Sequence, residues 1–192
     1  MGTSDQEQTE LNFLTVINDF NEHIDGTKTL TAGNISYRLK DIENNIDSLG
    51  EDEGILSQAL EMVDLYETKK GPLFMNEQTR NGLDPDNHMG VQLDWAMFQI
   101  QQGIIDEVYT LENVNRYSEI LDGAKFKTAE YFPGDVSPPS DPTLIYAVNI
   151  NCSMPEVWWG EPVMYCEDVA RRPTGAYVAP GSIVTVSVPP SI

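Results

Sequence analysis

Two rhythms of apolar residues divide this chain, and each dictates a different kind of backbone. Up to Gly123 the apolar positions recur every three or four residues, the spacing that gathers side chains on one face of an α-helix. Beyond a proline-rich stretch, β-branched residues partly alternate with polar ones, the two-residue rhythm of a half-buried strand. The switch predicts an α+β protein with an N-terminal bundle of about five helices over 5–123. A Pro-rich linker leading into the second domain follows over 124–143, and a partial antiparallel β-sandwich module over 144–192.

In the first region, Leu11, Leu14, Ile17, Phe20 and Ile24 mark a helix that Gly26 ends. Ile35, Leu39, Ile42, Ile46 and Leu49 predict a second over 34–49, with Gly50 as its stop. A third covers about 53–69, with Ile55, Leu56, Leu60, Val63 and Tyr66 inward. The fourth, over 91–110, sets Val91, Trp95, Phe98, Ile105 and Val108 on one side, and Gly103 lets a neighbour approach closely. A fifth spans 112–121 and closes at Gly123. Between the third and fourth, Gly71-Pro72, Asn81-Gly82 and Asp84-Pro85 supply turn chemistry. Asp84, Asp86, Asn87 and His88 in that connection fall short of a calcium loop, which wants Gly at its sixth position and Glu at its twelfth, where Met89 and Trp95 stand.

In the second region, strands are expected over 144–151 and 162–169, then as a hairpin, 176–178 and 183–188, around a type II turn at Pro180-Gly181. A complete sandwich takes about 100 residues, so the module reads as truncated. Between the first two strands, Trp158 and Trp159 can form a stacking platform for a sugar ring, with Glu156 bonding its hydroxyls; the other reading packs one ring under the sheet and the other on the helices. Cys152 and Cys166 fall on opposite arms of the same pair. They can close a disulfide worth roughly 3 kcal/mol, or remain two buried thiols.

Charge narrows the partners. Thirty-one acidic residues against eleven basic ones give a formal charge of −20, which repels phosphate backbones and excludes nucleic acid as a partner class. No run of apolar residues reaches the length of a membrane span, and the N-terminus lacks the basic and apolar regions of a signal peptide. The possible disulfide, with the glycosylation triplets Asn34-Ile35-Ser36 and Asn151-Cys152-Ser153, points to a secreted or cell-surface protein.

Thr174-Gly175-Ala176-Tyr177-Val178-Ala179-Pro180-Gly181, followed by a hydroxyl-rich valine run, resembles the segment leading into the catalytic region of the enhancin-like, mucin-targeting zinc metallopeptidases, peptidase family M-sixty. Tyr131-Phe132-Pro133-Gly134-Asp135-Val136 is similar to the aromatic-Pro-Gly lead-in of the same module, so the resemblance covers roughly residues 130–190. Such enzymes need His-Glu-x-x-His, two imidazoles one helical turn apart to hold zinc and a glutamate to activate its water. Here His23 and His88 are not part of that pattern, so no catalytic residue or zinc ligand carries over. The resemblance implies a non-catalytic N-terminal region of a longer polypeptide that acts on glycosylated, mucin-like proteins. Zinc would belong to a catalytic domain beyond Ile192, with no cofactor in this chain. The alternative is a free-standing glycan- or protein-binding module.

Overall fold

The computed structural model describes residues 5–74, 91–131, 134–151, 173–182 and 184–190, with side chains from residue 13 onward. Helix α1, Asp5–Asp25, buries Phe13, Val16, Ile17 and Phe20, while Leu14 and Ile24 pack at the edge of the same core. Gly26 takes φ +90° and donates its N–H to the Glu22 carbonyl, which ends the helix where a side chain would be strained. Thr31 caps α2, Ala32–Asn45, by accepting the N–H of Asn34, and the helix turns Ile35, Leu39 and Ile42 inward.

The second helix stops sooner than its apolar spacing suggests. After Asn45 the chain re-forms as a short α3, Ser48–Glu51. Gly50 lies inside α3 and stops nothing. A Cβ there would meet the Glu107 carbonyl oxygen at 2.8 Å, so the glycine is needed for backbone approach. Asp52 then caps α4, Glu53–Lys69, which buries Ile55, Leu56, Ala59, Met62, Val63 and Tyr66. α1 packs on α4, α2 on α5 and α1, and α4 on α5.

Of the face expected inward for the fourth helix, Val91 and Val108 are buried and Trp95 packs partly buried at the edge of the core, stacked on Phe98 at 5.5 Å. Helix α5, Gln92–Gly103, is seated chiefly through other residues: Ala96, Met97, Ile100 and Gly103 are buried, whereas Phe98 and Ile105 are 39% and 48% exposed. Gly103 explains the choice. Its absent side chain would sit 2.4 Å from Ile46 Cγ1 and 2.8 Å from Leu49 Cδ1, so α5 can lie close to the α2–α3 junction only on this side. Directly after it, Ile104–Val108 forms a π-helical turn in which Tyr109 donates to the Ile104 carbonyl at 3.2 Å. Two short helices complete the bundle, α6 at Leu111–Arg116 and α7 at Ser118–Leu121, separated by Tyr117, whose buried hydroxyl donates to the Gly50 carbonyl.

One ionic cluster stitches α1 to α2. Arg38 Nε donates to Asp19 Oδ2 at 2.7 Å, and Lys28 Nζ reaches Asp19 Oδ1. Burial pushes the Asp19 carboxyl up, but the hydrogen bonds and charges of Lys28 and Arg38 outweigh it and hold the group below the ordinary aspartate value.

The α+β expectation is overturned. The described residues are helical with no β-strand among them, and the partial antiparallel β-sandwich is absent from 144–151, 173–182 and 184–190. The apolar alternation there forms no ladder among the described residues. Leu144, Ile145 and Tyr146 are all exposed in succession, as are Val184, Val186 and Val188, so no face of these runs is covered. β-propensity describes how a side chain fits a pleated, half-buried surface, and without that surface the same residue types do not assemble a sheet. The expected strand over 162–169 lies outside the described residues.

Candidate binding cleft

The last helix ends at Gly123, φ +77°, and the chain after it folds back on the bundle. Phe126 packs against the core, and Lys127–Glu130 forms a 3-10 turn. The anchor of this return is Glu67. Its buried carboxylate, on the last turn of α4, accepts the Lys127 N–H at 2.9 Å and 3.0 Å on its two oxygens, while Lys127 Nζ bonds Thr68 Oγ1 at 3.2 Å. Burial raises the Glu67 carboxyl above the usual range, the Lys127 amide and charge pull it back, and Asp64 and Glu130 add to the rise.

Onto this return sits the turn that the sequence placed at Pro180-Gly181. Ser182 donates to the Ala179 carbonyl at 3.1 Å and Gly181 takes φ +76°, the geometry of a type II turn with Pro first and Gly second. Gly123 donates to the Gly181 carbonyl at 3.3 Å, and a Cβ on Gly181 would stand 3.0 Å from the Gly123 oxygen. Ala179 is buried beside it, the exception among the exposed apolar residues of that run. Gly134 also returns here: it donates to the Ala129 carbonyl at 3.0 Å, and the Tyr177 hydroxyl lies 3.6 Å from where a Gly134 Cβ would sit.

These pieces enclose a cleft of about 380 Å³ that is open to solvent. Ile105 and Tyr109 form one wall, Ala124, Phe126 and Ala129 the other, and the Pro180-Gly181 turn closes one end. The π-helical turn matters to the first wall, because its wider winding changes the rotation between residues, and Ile105 and Tyr109 emerge 48% and 46% exposed while Ile104 and Val108 stay buried. Partial burial raises the Tyr109 phenol above its usual value. Polar groups on the lining are few, with Lys125 and the Tyr109 and Thr128 hydroxyls the side chains that can bond a guest. Lys125 is already engaged by Glu130 at 3.5 Å and Asp135 at 3.4 Å. Volume and lining suit the capture of one apolar group.

The residues singled out for glycan contact, Glu156, Trp158 and Trp159, and the cysteine pair Cys152 and Cys166, lie outside the described residues, as do Asp84, Asp86, Asn87 and His88. His23 Nδ1 accepts the Leu30 N–H at 3.2 Å, and among the described residues no group of three His, Cys, Asp or Glu side chains is gathered to hold a metal ion. The described residues therefore do not fit a zinc cradle. Among the described helices none is long and apolar enough to cross a membrane. The cleft escapes a reading of the sequence because its walls come from three separated stretches; the Pro180-Gly181 turn was the one part with a local signature. Compared with known proteins, the chain matches no family model, no curated sequence and no solved structure.

Proposed function

We propose that this chain is the non-catalytic N-terminal region of an enhancin-like zinc metallopeptidase that acts on glycosylated, mucin-like proteins. The observation that supports this reading most is the meeting of the two stretches that carry the resemblance. Gly134 of the first stretch lies beside Tyr177 of the second, distant in sequence, and the second stretch is held to the bundle by Gly181 on Gly123. In this reading the bundle is a platform, and the zinc chemistry belongs to residues outside this chain. Reading the encoding transcript past the codon for Ile192 tests it. An open frame that reaches His-Glu-x-x-His within a couple of hundred codons supports the proposal, and an immediate stop codon overturns it.

A second reading, a free-standing binding module, is favoured by the cleft between the π-helical turn and the Pro180-Gly181 turn, which holds exposed apolar side chains at a concave site. Surface plasmon resonance on mucin before and after enzymatic removal of its glycans separates sugar contact from protein contact. No binding to either form counts against this reading.

A further inference from the structure

We propose that the cleft between the π-helical turn and the Lys127–Glu130 turn docks a polypeptide segment with one large apolar anchor flanked by basic residues. The inference deepens the binding-module reading and rests on it. The anchor follows from the lining: Ile105, Tyr109 and Phe126 offer apolar and aromatic contact around a volume of about 380 Å³, near the lower end of the roughly 300–1,000 Å³ of small-ligand sites. A single tryptophan, phenylalanine or leucine side chain suits such a space, and a buried aromatic anchor is the usual source of binding energy in a small contact.

The flanks follow from the charges beside the lining. Asp106, Glu130 and Asp135 are exposed, and each is next to a lining residue in sequence or reaches one through an ion pair. Lys125 points at the cleft, but Glu130 and Asp135 take up its charge, and Lys127 Nζ is turned to Thr68. The rim is therefore net negative on a chain of formal charge −20, which draws a cationic segment and repels an acidic one. Anionic phosphates and acidic lipid surfaces meet the same repulsion. A neutral sugar, with several hydroxyls to satisfy, finds only the Tyr109 and Thr128 hydroxyls and an engaged lysine here to replace the water it would lose.

Three dye-labelled pentapeptides test this by fluorescence anisotropy: a central tryptophan flanked by lysines, by glycines or by glutamates. The lysine peptide is expected to bind at least about tenfold more tightly than the glutamate peptide, with the glycine peptide between them. Because any cation can cling to so acidic a surface, Ala129→Trp serves as a variant that fills the cleft without changing charge. It should weaken the lysine peptide by about tenfold, whereas Glu43→Gln, an exposed carboxylate on α2 outside the cleft, should not. Circular dichroism melts check that both variants fold, and amide shifts of Ile105, Tyr109 and Ala129 on titrating the wild-type chain report the site directly. Equal affinity for the three peptides overturns the basic-flank inference and leaves the binding cleft standing. Absence of binding by all three overturns both. Binding of the lysine peptide that is indifferent to Ala129→Trp, with no shift at the cleft, shows diffuse attraction and also overturns the proposal.

Discussion

The bundle and the stretch from 134 to 190 spend similar residues in opposite ways. In the bundle Ile17, Phe20, Ile42, Leu56 and Met97 are sealed from water, whereas Ile145, Tyr146, Val186 and Val188 are each more than two-thirds exposed. Nothing in the side chains themselves separates the two sets. A helix closes its own backbone hydrogen bonds and needs only a neighbour for one face, but a strand needs a partner for its backbone as well as cover for its side chains. Apolar content therefore becomes stability only where partners are supplied, and single substitutions can measure how far that holds.

The greatest contrast is expected for Phe20→Ala, which removes a fully buried ring and should cost about 3–5 kcal/mol in urea unfolding. Asp19→Asn comes next, at about 2 kcal/mol near neutral pH, less than a fully buried pair would lose because Lys28 and Arg38 retain 41% and 23% side-chain exposure. The sign with pH is fixed by the direction of the shift. A carboxyl held below the ordinary aspartate value of 3.8 contributes above that value and loses the contribution as pH falls through its folded pKa, so the wild type and Asp19→Asn should converge in acid. Gly103→Ala should cost about 1–2 kcal/mol, the clash with Ile46 and Leu49 outweighing the better helix propensity of alanine, and a stability at or above wild type would show that the α2–α5 approach is looser than drawn.

Glu67→Gln has a smaller effect of opposite character, within about 1 kcal/mol, because the amide oxygen can still accept the Lys127 N–H while the buried charge disappears. A folded carboxyl raised above the ordinary glutamate value of 4.5 holds its proton more tightly than the unfolded chain does. Its contribution is greatest below that value and declines as pH rises through the folded pKa, and the glutamine variant should lack this decline in a pH series of melting curves. The least effect is expected from Ile145→Thr, at 89% exposure, within about 0.5 kcal/mol. A loss as large as that of Phe20→Ala would abolish the contrast between the two regions.

The bundle was legible because its signals are local. Thr31 and Asp52 start helices through their own side chains, and Gly26 and Gly123 end them with positive φ. The orientation of α5 was not legible from its largest side chains, since Trp95 and Phe98 on one side compete with Ala96, Met97 and Ile100 on the other. Gly103 decides between them, and its meaning lies in Ile46 and Leu49 across the interface. The second region failed for a related reason: β-branched alternation carries no information about whether a partner strand exists. Of the cleft, the sequence yielded the Pro180-Gly181 turn and left hidden the π-helical winding, which follows no residue pattern used in the reading.

The hydrogen bond from Gly123 to Gly181 ties a knot in the chain's contour, drawing together points separated by roughly 60 residues. Closing such a loop carries an entropic cost that grows only with the logarithm of its length, about 0.6 kcal/mol for each doubling. The cleft wall supplied by Pro180 is thus nearly indifferent to how much chain lies between the two anchors. Within that interval Ala124 to Ala129 line the cleft and hold to the bundle, so it is a change of length beyond Val136 that closure entropy makes cheap.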